Sequence, residues 1–224
     1  MDKSLKRDII QWDIKAWGNV INSWEPILKE VQGGKAACFG EREGGLSLWF
    51  ALRGLEVECT DFHLKDELPL EIHVQRGVTD KVNYSKQDIT SIDLPDNSYD
   101  IVAFKSVIGA LNDKDRQQKA FNELYRILKP GGYLLFAENT EATAMHRYAR
   151  NKFTSWGERW RYLQWNEVPE MLSQFSETKL QAKGFWSTFG RNERQRSFLS
   201  GIDIAFVPLT PKLWRYFVVG ICKK

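Results

Sequence analysis

An α/β fold, a mainly parallel sheet with helices on both faces, follows from three features of the sequence. Strand-like and helix-like stretches alternate from residue 36 to residue 138, the pattern of consecutive βαβ units. A glycine-bearing turn (Gly40, Gly44, Gly45) separates the first strand-like run of that region from the helix-like run after it. Residues 101–104 are apolar without interruption, as a strand buried on both faces requires.

Each element has its own signal. Leu5, Ile9, Trp12, Ala16, Val20 and Trp24 recur at steps of three and four, which predicts one apolar stripe along a helix. Pro26, just after Ser23, predicts a fresh helix start with Ser23 as N-cap. Residues 1–32 thus read as a helical layer on the sheet or, with Trp12 and Trp17 adding aromatic surface, a lid over the site. Residues 36–39 form the first strand, 46–52 the next helix, and the run closing on Asp61 the second strand. Residues 69–75 predict a short helix, and Val82, Asn83 and Tyr84 a third strand leading to Gln87, Asp88 and Ile89. A turn of Pro95, Asp96 and Asn97 introduces the fourth strand. The following helix takes Asn112 or Asp113 as cap and sets Ala120, Leu124, Ile127 and Leu128 at core spacing. Pro130 cannot continue it, and Gly131 and Gly132 free the backbone to reverse into a fifth strand, residues 133–137, ending on Glu138. Residues 142–175 read as helical, basic and aromatic, with 167–175 as the last face-packing helix. Residues 184–189 and 214–222 are the remaining strands, separated by a long polar connection.

At 224 residues, with 42% hydrophobic and 27% charged side chains, the chain reads as one globular domain. A formal charge of +3 does not announce a nucleic-acid partner. Cys38, Cys59 and Cys222 are odd in number, far apart and without metal-ligand spacing, so they read as buried thiols in a reducing compartment, and no metal is expected. No apolar run approaches the roughly 20 residues needed to span a bilayer, and a cytoplasmic location is expected.

The strand, glycine turn, helix, strand, acid unit at 36–61 suits a nucleoside-containing ligand. Glycines let backbone N–H groups approach it, the helix N-terminus favours negative charge, and Asp61 can accept from ribose hydroxyls.

These features, with the segment ELYRILKPGGYLLFAEN in particular, resemble the class I S-adenosylmethionine-dependent methyltransferases, firmly over about residues 30 to 140. An NAD-type Rossmann domain lacks the helix ending in Leu-Lys-Pro-Gly-Gly. The resemblance implies a Rossmann-like seven-stranded sheet of order 3-2-1-4-5-7-6 with the last strand antiparallel. It divides the chain into a cofactor core (33–140), a substrate cap (141–176) and final strands (177–224). S-adenosyl-L-methionine is the implied cofactor and S-adenosyl-L-homocysteine its product. Gly40 and Gly44 match first-motif glycines, with Phe39, Glu41 and Gly45 beside them. Asp61, followed by Phe62, matches the acid on the ribose. Asp88, with Ile89, matches the acid that reads the adenine amino group. Lys105 and Ser106 follow the fourth strand, where cofactor and acceptor meet. Two positions depart from the pattern: Cys38 stands where an acid is usual, and Arg42 replaces the middle glycine. Glu41 or Glu43 is then left to reach the cofactor's amino group.

The acceptor is less legible. No Asn-Pro-Pro-Tyr, Asp-Pro-Pro-Tyr or Pro-Cys segment follows the fourth strand, so no DNA partner is expected. Lys105 and His146 are the candidate catalytic bases. In residues 146–165 arginines alternate with aromatics, and Arg147, Trp156, Arg159 and Trp160 are the candidate substrate contacts. Such a surface suits an anionic small-molecule, sugar or lipid-linked saccharide acceptor methylated on oxygen or nitrogen. It also suits a peripheral membrane contact. An RNA or protein methyltransferase, or a cofactor-binding scaffold without turnover, are the alternatives. The oligomeric state has no signal in the sequence.

Overall fold

The computed structural model describes residues 2–64, 67–154 and 159–224. Strands β1 (Lys35–Phe39), β2 (Glu56–Asp61), β3 (Val82–Lys86), β4 (Tyr99–Lys105), β5 (Leu128–Asn139), β6 (Glu177–Lys183) and β7 (Phe217–Lys223) form one sheet of order β3-β2-β1-β4-β5-β7-β6. β1 to β5 run parallel, and β7 pairs antiparallel with both β5 and β6. This is the seven-stranded order that the family resemblance implies.

Alternation along β1 explains why its residues are apolar at consecutive positions. Ala36 and Cys38 enter one core, Ala37 and Phe39 the other, and all four are buried. On the first face pack α1 (Lys3–Ile10), α2 (Ile14–Glu30) and α3 (Gly45–Ala51), with α4 (Glu67–Gln75) beside α3. On the second pack α5 (Lys114–Ile127) and the single turn α7 (Val168–Met171). Trp17 of α2 stacks on Phe217 of β7, with ring centroids 4.7 Å apart and planes at 13°. The N-terminal helices are thereby fixed to the sheet face. Two further helices, α6 (Ala144–Phe153) and α8 (Glu193–Phe206), follow β5 and β6.

Several sequence expectations need correction. The apolar stripe at residues 5–24 is not one helix: α1 ends at Ile10, and Gln11 (φ 70°) and Asp13 (φ 44°) turn the chain through left-handed backbone before α2. α2 then passes through Pro26, so Ser23 is not an N-cap; its hydroxyl donates back to the Asn19 carbonyl at 3.2 Å. A proline removes one backbone bond, and burial of Trp24 and Leu28 on either side keeps the helix intact. The sixth strand is residues 177–183, not 184–189. It is a sheet edge, largely exposed, and its low apolar content hides it. The more apolar run after it forms a 3₁₀ turn, Ser187–Phe189. Residues 142–175 are not continuously helical: α6 stops at Phe153 and α7 spans four residues rather than 167–175. The supposed polar connection contains α8. No helix among the described residues is long and apolar enough to cross a membrane.

Candidate active site

A cavity of about 1310 Å³ lies at the C-terminal ends of β1, β2 and β4, where strand order reverses about β1. Open parallel sheets bind ligands at such a switch point. Its volume exceeds the roughly 300–1,000 Å³ that holds one drug-sized ligand, leaving room for a cofactor and an acceptor together.

The β1–α3 turn forms one wall. Gly40 (φ 68°) and Gly44 (φ 72°) hold left-handed backbone, and a Cβ on Gly40 would strike the Val107 side chain from the loop after β4. The two loops therefore touch only because residue 40 is glycine. Glu41 is buried and turns toward α3, where its carboxylate accepts the Ser47 N–H at 2.7 Å. Burial raises its pKa against the pull of that N–H and of Lys105. Glu43 is exposed on the cavity wall. Gly45 lines the cavity, whereas Gly44 does not; its carbonyl meets the His73 ring at 2.9 Å. Cys38 is buried within the sheet and lies off the cavity.

Asp61 closes β2, and its Oδ1 accepts the His63 N–H at 2.7 Å. Asp88 follows β3, and its Oδ1 accepts both the N–H and the hydroxyl of Thr90 at 2.8 Å. Burial pushes the Asp88 carboxyl up, but the two Thr90 donors prevail and hold its pKa below the usual value. The second oxygen of each acid has no protein partner among the described residues. Phe39, Phe62 and Ile89 line the same wall.

The loop after β4 is set by Glu138, a residue the sequence marks only as the end of a strand. Its buried carboxylate accepts the N–H groups of Val107 and Ile108, both at 2.7 Å, and of Asn139 at 2.8 Å. Burial pushes its pKa up to about 7, opposed by those donors. Ser106 faces the cavity and its hydroxyl accepts from Asn139 Nδ2 at 2.8 Å. Lys105 also lines the cavity, but its Nζ donates to the Ile10 carbonyl, tethering the end of α1. Burial lowers its pKa to about 8, with Glu41 and Glu43 opposing.

His146 is not poised as a base. It is fully buried and off the cavity, with Nδ1 2.7 Å from the Thr143 hydroxyl and Nε2 3.0 Å from the Phe185 carbonyl. Burial lowers its pKa to about 4, so the neutral ring serves as a latch between α6 and residue 185. Of the expected substrate contacts, Trp160 lines the cavity; Arg147 lies off it in an ion pair with Glu141 at 2.6 Å, and Arg159 is exposed away from it. Trp156 lies outside the described residues. The basic wall comes instead from Arg150, Arg191 and Arg196. Arg150 is buried, donates to the Thr140 and Tyr216 carbonyls, and sits 4.1 Å over the Tyr162 ring.

Sequence reasoning missed Asp13. In the break between α1 and α2, it is buried in the cavity wall. Its Oδ2 accepts the Tyr216 hydroxyl at 2.7 Å, and that hydroxyl lies 3.0 Å from the Ser187 hydroxyl. Oδ1 is buried and has no hydrogen-bond partner among the described residues. Burial raises the pKa to about 6, opposed first by the Tyr216 bond and then by Arg196. The usable signal is an aspartate directly before a helical run, the position of an N-cap. Here that carboxylate is diverted to Tyr216, and Glu193 of α8 takes the Asp13 and Ile14 N–H groups at 2.8 and 3.2 Å.

The sheet order and the acids after β2 and β3 define a class I, S-adenosylmethionine-dependent methyltransferase fold. Residues 38–136, a little under half of the chain, match the family described as Methyltransferase domain. The demethylmenaquinone methyltransferase of Bacteroides fragilis is 33% identical over 66 residues, 30% of this chain and 26% of that protein. The ubiquinone/menaquinone biosynthesis C-methyltransferase UbiE of Pseudoalteromonas translucida is 37% identical over 62 residues, 28% and 24% of the two chains. The chain thus spans about a quarter of the length of these curated relatives. The phosphoethanolamine N-methyltransferase 2 of Haemonchus contortus, solved with S-adenosyl-L-methionine, superposes with a TM-score of 0.63 at 17% identity, covering 91% of this chain and 52% of that one.

Proposed function

We propose that this chain transfers the methyl group of S-adenosyl-L-methionine to a hydroxyl or amine of a small, anionic acceptor. The observation that carries this reading is that Asp61, Asp88 and Asp13 line one cavity, and that the buried Oδ1 of Asp13 has no partner among the described residues. The donor set fits the cofactor: Asp61 and Asp88 each keep a free carboxylate oxygen, for ribose hydroxyls and for an exocyclic amine. When bound, the cofactor supplies a methyl group on a cationic sulfur, open to in-line displacement. The chain's own residues align the acceptor and take its proton.

Asp13 is the residue we assign to that proton. A buried oxygen without a donor costs about 1–3 kcal/mol, and an acceptor O–H or protonated amine arriving at Oδ1 removes that cost. A pKa near 6 lets the carboxylate both exist at neutral pH and hold a proton. Tyr216 fixes its orientation, and Arg150, Arg191 and Arg196 give the same wall positive charge for an anionic group. Lys105, tethered to Ile10, serves position rather than proton transfer.

The names of the curated relatives favour a second reading, a carbon acceptor. Incubation with methyl-¹³C cofactor and a panel of phenols, sugar phosphates and phosphorylated amines separates the two. The proposed reading expects product methyl carbons bonded to oxygen or nitrogen, and methyl carbons bonded only to carbon would replace it.

A further inference from the structure

The helix α8 is inside out. Its buried positions are polar: Ser200 and Asp203, the latter accepting the N–H groups of Phe185, Trp186 and Ser187 at 3.2, 2.7 and 3.2 Å. Beyond the polar exposed residues of its first turns (Glu193, Arg194, Gln195 and Ser197), its outer positions are apolar, with Phe198 71%, Ile204 69% and Phe206 52% exposed. The exposure continues along the following turns through Leu209 (83%), Leu213 (60%) and Trp214 (50%). A surface helix of a water-soluble domain normally presents the reverse pattern, and an exposed apolar surface of this extent marks an interaction site.

Charge identifies the occupant. From the start of α8 to residue 215 stand Arg194, Arg196, Lys212 and Arg215 against Glu193, which pairs with Arg196, and Asp203, which is buried and bonded; Arg215 donates to the Ala182 and Thr210 carbonyls. A second copy of this chain would bring the same positive rim to a twofold interface and repel it. Large apolar side chains, a half-exposed tryptophan and the exposed cations Arg194 and Lys212, which have no ion pair among the described residues, fit an anionic lipid bilayer. The surface also begins at the cavity: Arg196 in the first turns of α8 lines it, and Arg191 lies 4.4 Å over the half-exposed Phe153 ring, both of them cavity residues.

We propose that residues 198–214 dock the protein on an anionic membrane surface, holding the acceptor side of the cavity next to the lipid headgroups. The test is co-sedimentation of the full chain with vesicles of phosphatidylglycerol and phosphatidylethanolamine, with phosphatidylcholine vesicles in parallel. Partition onto the anionic vesicles, reduced by salt, is expected. The triple substitution Phe198→Ser, Leu209→Ser, Leu213→Ser should lower it by at least about tenfold. Lys212→Gln alone should lower it about fivefold. Unchanged S-adenosylhomocysteine affinity in each variant reports that the domain is folded. No partition onto anionic vesicles, or equal partition of the triple variant, overturns the proposal. Light scattering that finds a dimer in the parent and a monomer in the triple variant assigns the surface to a second copy, and overturns it too.

Discussion

The Tyr216 hydroxyl donates to Asp13 Oδ2 at 2.7 Å, joining positions 203 residues apart in sequence at one wall of the cavity. The bond holds the carboxylate with its other oxygen buried and unpartnered among the described residues, and the carboxylate sits in the left-handed turn that breaks α1 from α2.

Replacing Asp13 by Asn keeps an oxygen for Tyr216 but removes the proton acceptor. Methyl transfer to a hydroxyl acceptor should fall by about 10²- to 10⁴-fold, with S-adenosylhomocysteine affinity unchanged by calorimetry. In the parent, kcat/KM should rise with pH through about 6 and then level. The stability effect has the opposite sense. Because folding raises this pKa from 3.8 to about 6, the folded chain binds the proton more tightly, and stability falls as pH rises across that window. The Asn variant should lose that slope, a difference of at most about 3 kcal/mol by pH 7. Urea denaturation at several pH values reads it.

His146 predicts the reverse slope. Folding lowers its pKa from 6.5 to about 4, so its contribution is complete above pH 6.5 and is lost as pH falls toward 4. His146→Gln should destabilise the protein by about 1–3 kcal/mol at pH 7.5 and flatten the acid limb of stability. The shape of the pH–rate profile should not change, since the ring lies off the cavity.

Gly40→Ala tests the contact of the two cofactor loops. A side chain at φ 68° that also collides with Val107 should cost about 1–3 kcal/mol of stability. It should also weaken S-adenosylhomocysteine binding by displacing the loop after β4.

Which parts of this were readable from sequence follows from how locally each is encoded. The strands of the parallel core announce themselves because burial on both faces demands continuous apolar runs, as in β1 and β4. The acids at 61 and 88 were readable from their place at or just after the second and third strands, although β2 and β3 are only partly apolar. The edge strand β6 and the helix α8 were not, since one is mostly solvated and the other carries its apolar residues outward. Asp13 was hidden by periodicity: the spacing of Leu5 to Trp24 fits one helix, and only Gln11 and Asp13 in left-handed backbone break it. His146 misled because composition shows a histidine beside arginines, while the contacts that neutralise it come from Phe185, 39 residues on. Glu138 gains its meaning only through the N–H groups of a loop 30 residues earlier.

The most direct measurement is calorimetric titration of the purified chain and of Asp61→Ala with S-adenosylmethionine, S-adenosylhomocysteine and NAD. Both sulfur nucleosides should bind and NAD should not, and Asp61→Ala should lose about 1.5–3 kcal/mol of their affinity. A folded, ligand-free parent that binds neither sulfur nucleoside would contradict the assignment of this cavity to methyl transfer.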